Sequence, residues 1–72
     1  FTLPEKVRVN LSIFNLEGKL VKTIVDDVVD EGYKEIKWDG TNARSNPVSS
    51  GVYFYRLKSG GMVLTKKMIL LK

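Results

Sequence analysis

Between Val7 and Ile13 the chain alternates strictly, with Val7, Val9, Leu11 and Ile13 interleaved by Arg8, Asn10 and Ser12. Side chains of a strand point to opposite faces with period two, so this pattern specifies a strand with one buried face. A second stretch, Val52 to Lys58, carries large residues on both faces: Tyr53, Tyr55 and Leu57 on one side, Val52 and Phe54 on the other. It reads as a central strand. Together these two runs commit the chain to β-structure.

The punctuation agrees. Asn15 to Gly18 has the residues of a type I turn, leading into a partner strand over Leu20 to Val25, and Ser59-Gly60-Gly61 is a tight hairpin signal before a long last strand, Met62 to Lys72. Phe1 to Leu3 reads as a strand stub and Pro4 to Lys6 as a turn. Tyr33 to Trp38 alternates again, with Ile36 and Trp38 on one face, and so reads as a further strand. Asp39 and Gly40 then turn the chain, since an aspartate accepts hydrogen bonds from backbone two residues on and glycine takes positive φ without strain. The polar run to Ser50 is a surface loop, and Gly51 opens the aromatic strand.

Chemistry is mostly excluded. The 72 residues contain neither histidine nor cysteine, which removes the commonest general base, thiolate metal sites and any disulfide framework. Serines and threonines are present, but no base is placed to activate them, and the lysines alternate along strands rather than sit in an apolar pocket. Glycines 60 and 61 form no phosphate-binding loop because no helix follows. The run Asp26-Asp27-Val28-Val29-Asp30-Glu31 packs four carboxylates into six positions. Two valines interrupt them, and no glycine turn sits among them, so they read as a solvated loop rather than a calcium site. The expectation is no enzyme, no cofactor, no metal, no small-molecule substrate and no nucleic-acid partner.

A net charge of +4 biases the chain weakly toward acidic surfaces. Lysines alternating with apolar residues more economically explain that charge as solvent-facing positions that keep sheet edges from pairing. No apolar run approaches the roughly 20 residues of a membrane-spanning helix, and no signal-peptide pattern opens the chain, which is expected to be soluble. A chain of this length is one domain and buries only about 60% of its unfolded surface.

Trp38-Asp39-Gly40, a short polar loop and then Ser50-Gly51-Val52-Tyr53-Phe54-Tyr55 resemble the Ig-like family of flagellar hook-capping proteins and its close relative, the type A C-terminal sorting domain of the type IX secretion system. Leu3-Pro4-Glu5, Ile13-Phe14-Asn15 and Asn15-Leu16-Glu17-Gly18 followed by Val21 resemble the first half of that family, and Thr65 to Lys72 resembles the lysine-bearing strand on which sorting domains end. Asn42 and Ser45 stand where the family usually has aspartate and glycine, so the resemblance carries no ion site to this loop. The family's Tyr-Pro-Asn-Pro opening does not occur here. This implies a single domain over residues 1–72, the C-terminal piece of a larger secreted protein, whose first strand lies upstream.

The fold expected from strand count and resemblance together is all-β, an Ig-like antiparallel sandwich of about six to seven short strands, with a small open barrel as the alternative. The resemblance implies first a non-catalytic sorting module recognised by an outer-membrane translocon, on a protein that is secreted or attached to the outer-membrane surface after crossing the periplasm. It implies second a structural Ig-like module of a hook-capping or cell-surface protein. An accessory carbohydrate-binding domain is a third reading and would need Tyr53 and Tyr55 coplanar and exposed. Recognition is assigned to Lys66, Lys67, Met68 and Lys72, and the structural keystones are Trp38, Asp39, Gly40, Gly51 and Tyr53. An uncovered sheet edge is expected to give a weak homodimer or strand exchange that tightens as salt screens its lysines.

Overall fold

The computed structural model describes all 72 residues and contains six strands and no helix. They are β1 (Thr2–Leu3), β2 (Val7–Phe14), β3 (Leu20–Val29), β4 (Gly32–Tyr33), β5 (Gly51–Ser59) and β6 (Met62–Leu70). Four make an antiparallel sheet in the order β3-β2-β5-β6, and β1 pairs with β4 in a second, two-stranded antiparallel sheet. This is the all-β, Ig-like sandwich expected, with six strands.

Register follows from hydrophobic alternation. Leu11 lies opposite Val25 on one side and Leu57 on the other, and Leu57 lies opposite Leu64, so one apolar row crosses all four strands. Val9, Leu11 and Ile13 are buried on this face, where exclusion from water favours their apolar surface. The opposite face mixes polar groups with apolar ones, Phe14 lying opposite Phe54. Ser12 is buried there, its hydroxyl donating to Asn10 Oδ1 (2.8 Å) and lying 3.3 Å from Thr23 Oγ1. Arg56 stacks its guanidinium 4.5 Å from the Phe14 ring centroid.

Both hairpin turns form where the punctuation places them. Asn15 closes the first by accepting from the Gly18 N–H (3.0 Å), while its side chain accepts from the N–H groups of Glu17 (2.9 Å) and Lys19 (3.0 Å). Gly60 and Gly61 make the second, Gly60 at φ 59°.

Two sequence expectations are corrected. Tyr33 to Trp38 is not a strand: only Gly32 and Tyr33 pair, with Leu3 and Thr2. The Lys34 N–H donates to the Phe1 carbonyl (2.7 Å) and the Phe1 ammonium to the Lys34 carbonyl (2.8 Å), and Glu35–Trp38 pair with no strand. Alternation supplies a buried face, but a strand also needs a partner for its backbone. The second correction concerns the acidic run. Asp26 to Val29 is not loop but the second half of β3, which continues past Val25. As the margin of the sheet, β3 keeps both aspartates in water, and Asp26 gains an ion pair with Arg8 (3.0 Å).

Candidate functional site

The loop after Trp38 is a hydrogen-bonded knot. Trp38 is half-buried, its ring edge-on to Tyr53 with centroids 5.1 Å apart and planes at 71°, and its Nε1–H donates to the Thr41 carbonyl (2.8 Å). Asp39 Oδ1 accepts from both the N–H (3.1 Å) and the hydroxyl (2.6 Å) of Thr41. Lys22 of β3 completes the group, its ammonium donating to Thr41 Oγ1 (2.9 Å) and lying 3.7 Å from Asp39 Oδ1.

The rest of the loop is tied in the same manner. Asn42 Oδ1 accepts from the N–H groups of Arg44 (2.9 Å) and Asn46 (3.1 Å), so the amide is spent on closing its own turn. Ser45 sits at φ 63°, the backbone conformation for which glycine is better suited. The Ala43 N–H bonds to the Val21 carbonyl (3.0 Å) and the Val48 N–H to the Gly40 carbonyl (3.0 Å), which sews the loop to β3 and closes its base.

Gly40 is buried at φ 76°, and a Cβ placed there would lie 3.5 Å from both methyls of Leu70 on β6. The Lys72 N–H donates to Ser50 Oγ (3.1 Å), so the end of the chain is held against the loop. Gly51 begins β5 as expected. Tyr53 is buried, and its hydroxyl donates to the Ser49 carbonyl (2.7 Å), a corner contact of the kind that fixes strand entry in Ig-like sandwiches. Tyr53 is thus not one of two exposed rings, and the carbohydrate platform that needed it is absent.

Asp39 is the one ionisable group whose carboxyl is held clearly below the usual range, chiefly by the Thr41 hydroxyl, with further help from the Thr41 N–H and the charge of Lys22. A carboxyl lowered by folding stabilises the fold above its ordinary pKa, and that contribution disappears as pH falls through the lowered value. Asp39→Asn is therefore expected to melt below the parent at pH 7, with the two melts converging as pH drops from about 5 toward about 2. A gap that stays constant over that range would show that the charge on Asp39 contributes nothing.

A second feature is a cleft of about 460 Å³ between the sheets, lined by Leu11, Leu57 and Leu64 from the large sheet and by Phe1, Tyr33 and Ile36 from the smaller one and the segment after it. Lys66 and Met68 also face it. Lys67 alternates to the other face, opposite Phe54, and Lys72 follows the end of β6. The four recognition candidates therefore do not form one patch. Lys66, Lys67 and Lys72 are exposed and belong to none of the three ion pairs in the structure.

Sequence reasoning missed Lys22, Thr41 and Arg56. Lys22 carries no local signal, because its partners lie 17 and 19 residues away across a loop. No group of acidic residues is arranged to hold a metal ion.

A two-sheet antiparallel sandwich, closed at one end by a tryptophan-anchored loop and a tyrosine corner, defines an Ig-like β-sandwich module. The FlgD Ig-like domain family matches residues 1–61, and the chain belongs to that family. Nothing matches significantly among curated proteins or among solved structures. The match supports the hook-capping half of the resemblance and gives no support to the sorting half.

Proposed function

We propose that this chain is a structural, non-catalytic Ig-like module of a flagellar hook-capping or related cell-surface protein, acting as a rigid spacer and protein-contact domain. The observation that carries this reading is the family match over residues 1–61, which takes in both sheets up to the β5–β6 turn and the whole Trp38 loop. The physical character of the molecule fits: its loop is braced by side chain-to-backbone hydrogen bonds, which makes a stiff element for setting the spacing of neighbouring domains. The flagellum places such a module at the cell surface.

The sorting reading draws on β6 and residues 71–72, which lie beyond the matched residues and present Lys66, Lys67 and Lys72 to solvent. One experiment separates the two. The chain is fused to the C-terminus of a secreted reporter in a type IX-competent bacterium, and separately exchanged for the Ig-like domain of a hook-capping protein in a motile flagellated one. Restored hook assembly without reporter export is the expected result. Reporter export that is lost on deleting Met68 to Lys72, with no hook assembly, would overturn the structural reading in favour of sorting.

A further inference from the structure

The two margins of the large sheet are β3 and β6, and their charges are opposite. The run Met62 to Lys72 carries Lys66, Lys67 and Lys72 and no carboxylate, while the unbulged half of β3, Val25 to Val29, carries Asp26 and Asp27 and no cation. β6 is also where apolar side chains are left uncovered, Met62, Val63, Leu64 and Ile69 all being exposed. We propose that the β6 margin of one copy pairs with the β3 margin of a second copy, extending the sheet from molecule to molecule.

The register follows from the alternation. Because β3-β2-β5-β6 is antiparallel throughout, β6 is antiparallel to β3, and a second copy in the same orientation presents its β3 antiparallel to β6. Setting Lys66 across from Asp27 then sets Lys67 across from Asp26, Leu64 across from Val29 and Met68 across from Val25. Faces agree in every pair. Leu64, Lys66 and Met68 line the cleft, and Val25, Asp27 and Val29 share that face through their partners Leu11, Val9 and Val7.

Backbone direction agrees as well. Side-chain face and hydrogen-bonding direction alternate together along an antiparallel strand, so a row running through Val25, Leu11, Leu57 and Leu64 leaves its two end residues with the same outward or inward sense. Matching faces therefore matches donors to acceptors. Opposite charges directly across a strand pair are favourable and like charges unfavourable, which disfavours β6 on β6 and β3 on β3. The contact is head-to-tail, and any row of copies keeps one free β3 margin at one end and one free β6 margin at the other, so the assembly grows as a row or closes as a ring.

Sedimentation velocity of the full chain tests this. Association is expected at roughly 50 mM salt and weakens toward roughly 500 mM as the ion pairs are screened. This salt dependence is opposite in sign to that of a lysine-repelled symmetric dimer. The double variant Lys66→Glu, Lys67→Glu, whose lysines have no partners to lose, is expected to associate about tenfold more weakly, since two attractive pairs become repulsive. Asp26→Lys, Asp27→Lys should behave alike, and an equal mixture of the two variants should associate again. Should loss of the Arg8 pair unfold the second variant, Asp27→Lys alone takes its place. A parent that stays monomeric at low salt, association that strengthens with salt, a β6 variant that associates like the parent, or a folded mixture that fails to recover would each overturn the proposal.

Discussion

Trp38→Ala is expected to cost about 3 kcal/mol of stability, since truncating a packed tryptophan costs about 3–5 kcal/mol and this ring is only half-buried. The loss has two parts. Removing the ring uncovers Tyr53, against which it packs edge-on, and deletes the Nε1–H bond to Thr41, whose own contacts with Asp39 and Lys22 hold the loop to β3. For a domain of this size 1 kcal/mol moves the melting temperature by roughly 4–8 °C, so the shift is on the order of 12–24 °C. Trp38→Phe should lose mainly the hydrogen bond, about 1 kcal/mol. Melting followed by far-ultraviolet circular dichroism distinguishes these cases without needing the tryptophan as probe. An unchanged melting temperature in the alanine variant would show that the ring is a passive cover.

The reason to expect so much from Trp38 was legible in the sequence, but its position was not. An apolar alternation ending on tryptophan reads as a strand with a buried terminal ring, whereas the backbone over Glu35–Gly40 is irregular and the ring reaches Tyr53 from outside either sheet. What settles the matter is backbone pairing, which alternation alone does not supply: β4 pairs with β1 only at Gly32 and Tyr33, and Glu35–Trp38 share no ladder with any strand. The acidic run failed for the opposite reason. Four carboxylates in six residues look like loop, yet an edge strand with one hydrogen-bonding side free tolerates charge that a central strand would not, and β2 supplies Val7 and Arg8 as partners for Val29 and Val28. The hairpin turns, β2 and β5 were legible because their signals are local. The site was legible only in part. Trp38, Asp39, Gly40 and Tyr53 lie in or beside one loop, whereas Lys22 joins them only through the fold.

The same limit explains why two valines of equal standing in the sequence carry unequal weight in the structure. Val9 and Val63 each sit in a strand among other apolar residues, but Val9 is 0% exposed and Val63 59%. Val63→Asp is accordingly expected to change stability by no more than about 0.5 kcal/mol. Val9→Asp places a carboxyl on the inner face of β2, with Asp27 and Ser59 as its strand neighbours, so that Asp27 offers repulsion rather than a partner. Leaving a charge buried and unpaired costs about 3–5 kcal/mol. A 72-residue domain has a total stability on the order of 4–11 kcal/mol at 0.05–0.15 kcal/mol per residue, so much or all of the fold is lost at neutral pH. The pH dependence is opposite to that of Asp39. Burial raises the pKa of the introduced carboxyl in the folded state, so the variant is most stable where that group is protonated and loses stability as pH rises above the ordinary aspartate value. Urea denaturation of the variant is therefore expected to show more folded protein near pH 4 than near pH 7, while the parent shows no such preference for acid. A Val9→Asp variant as stable at pH 7 as the parent would mean that β2 is not the centre of the core.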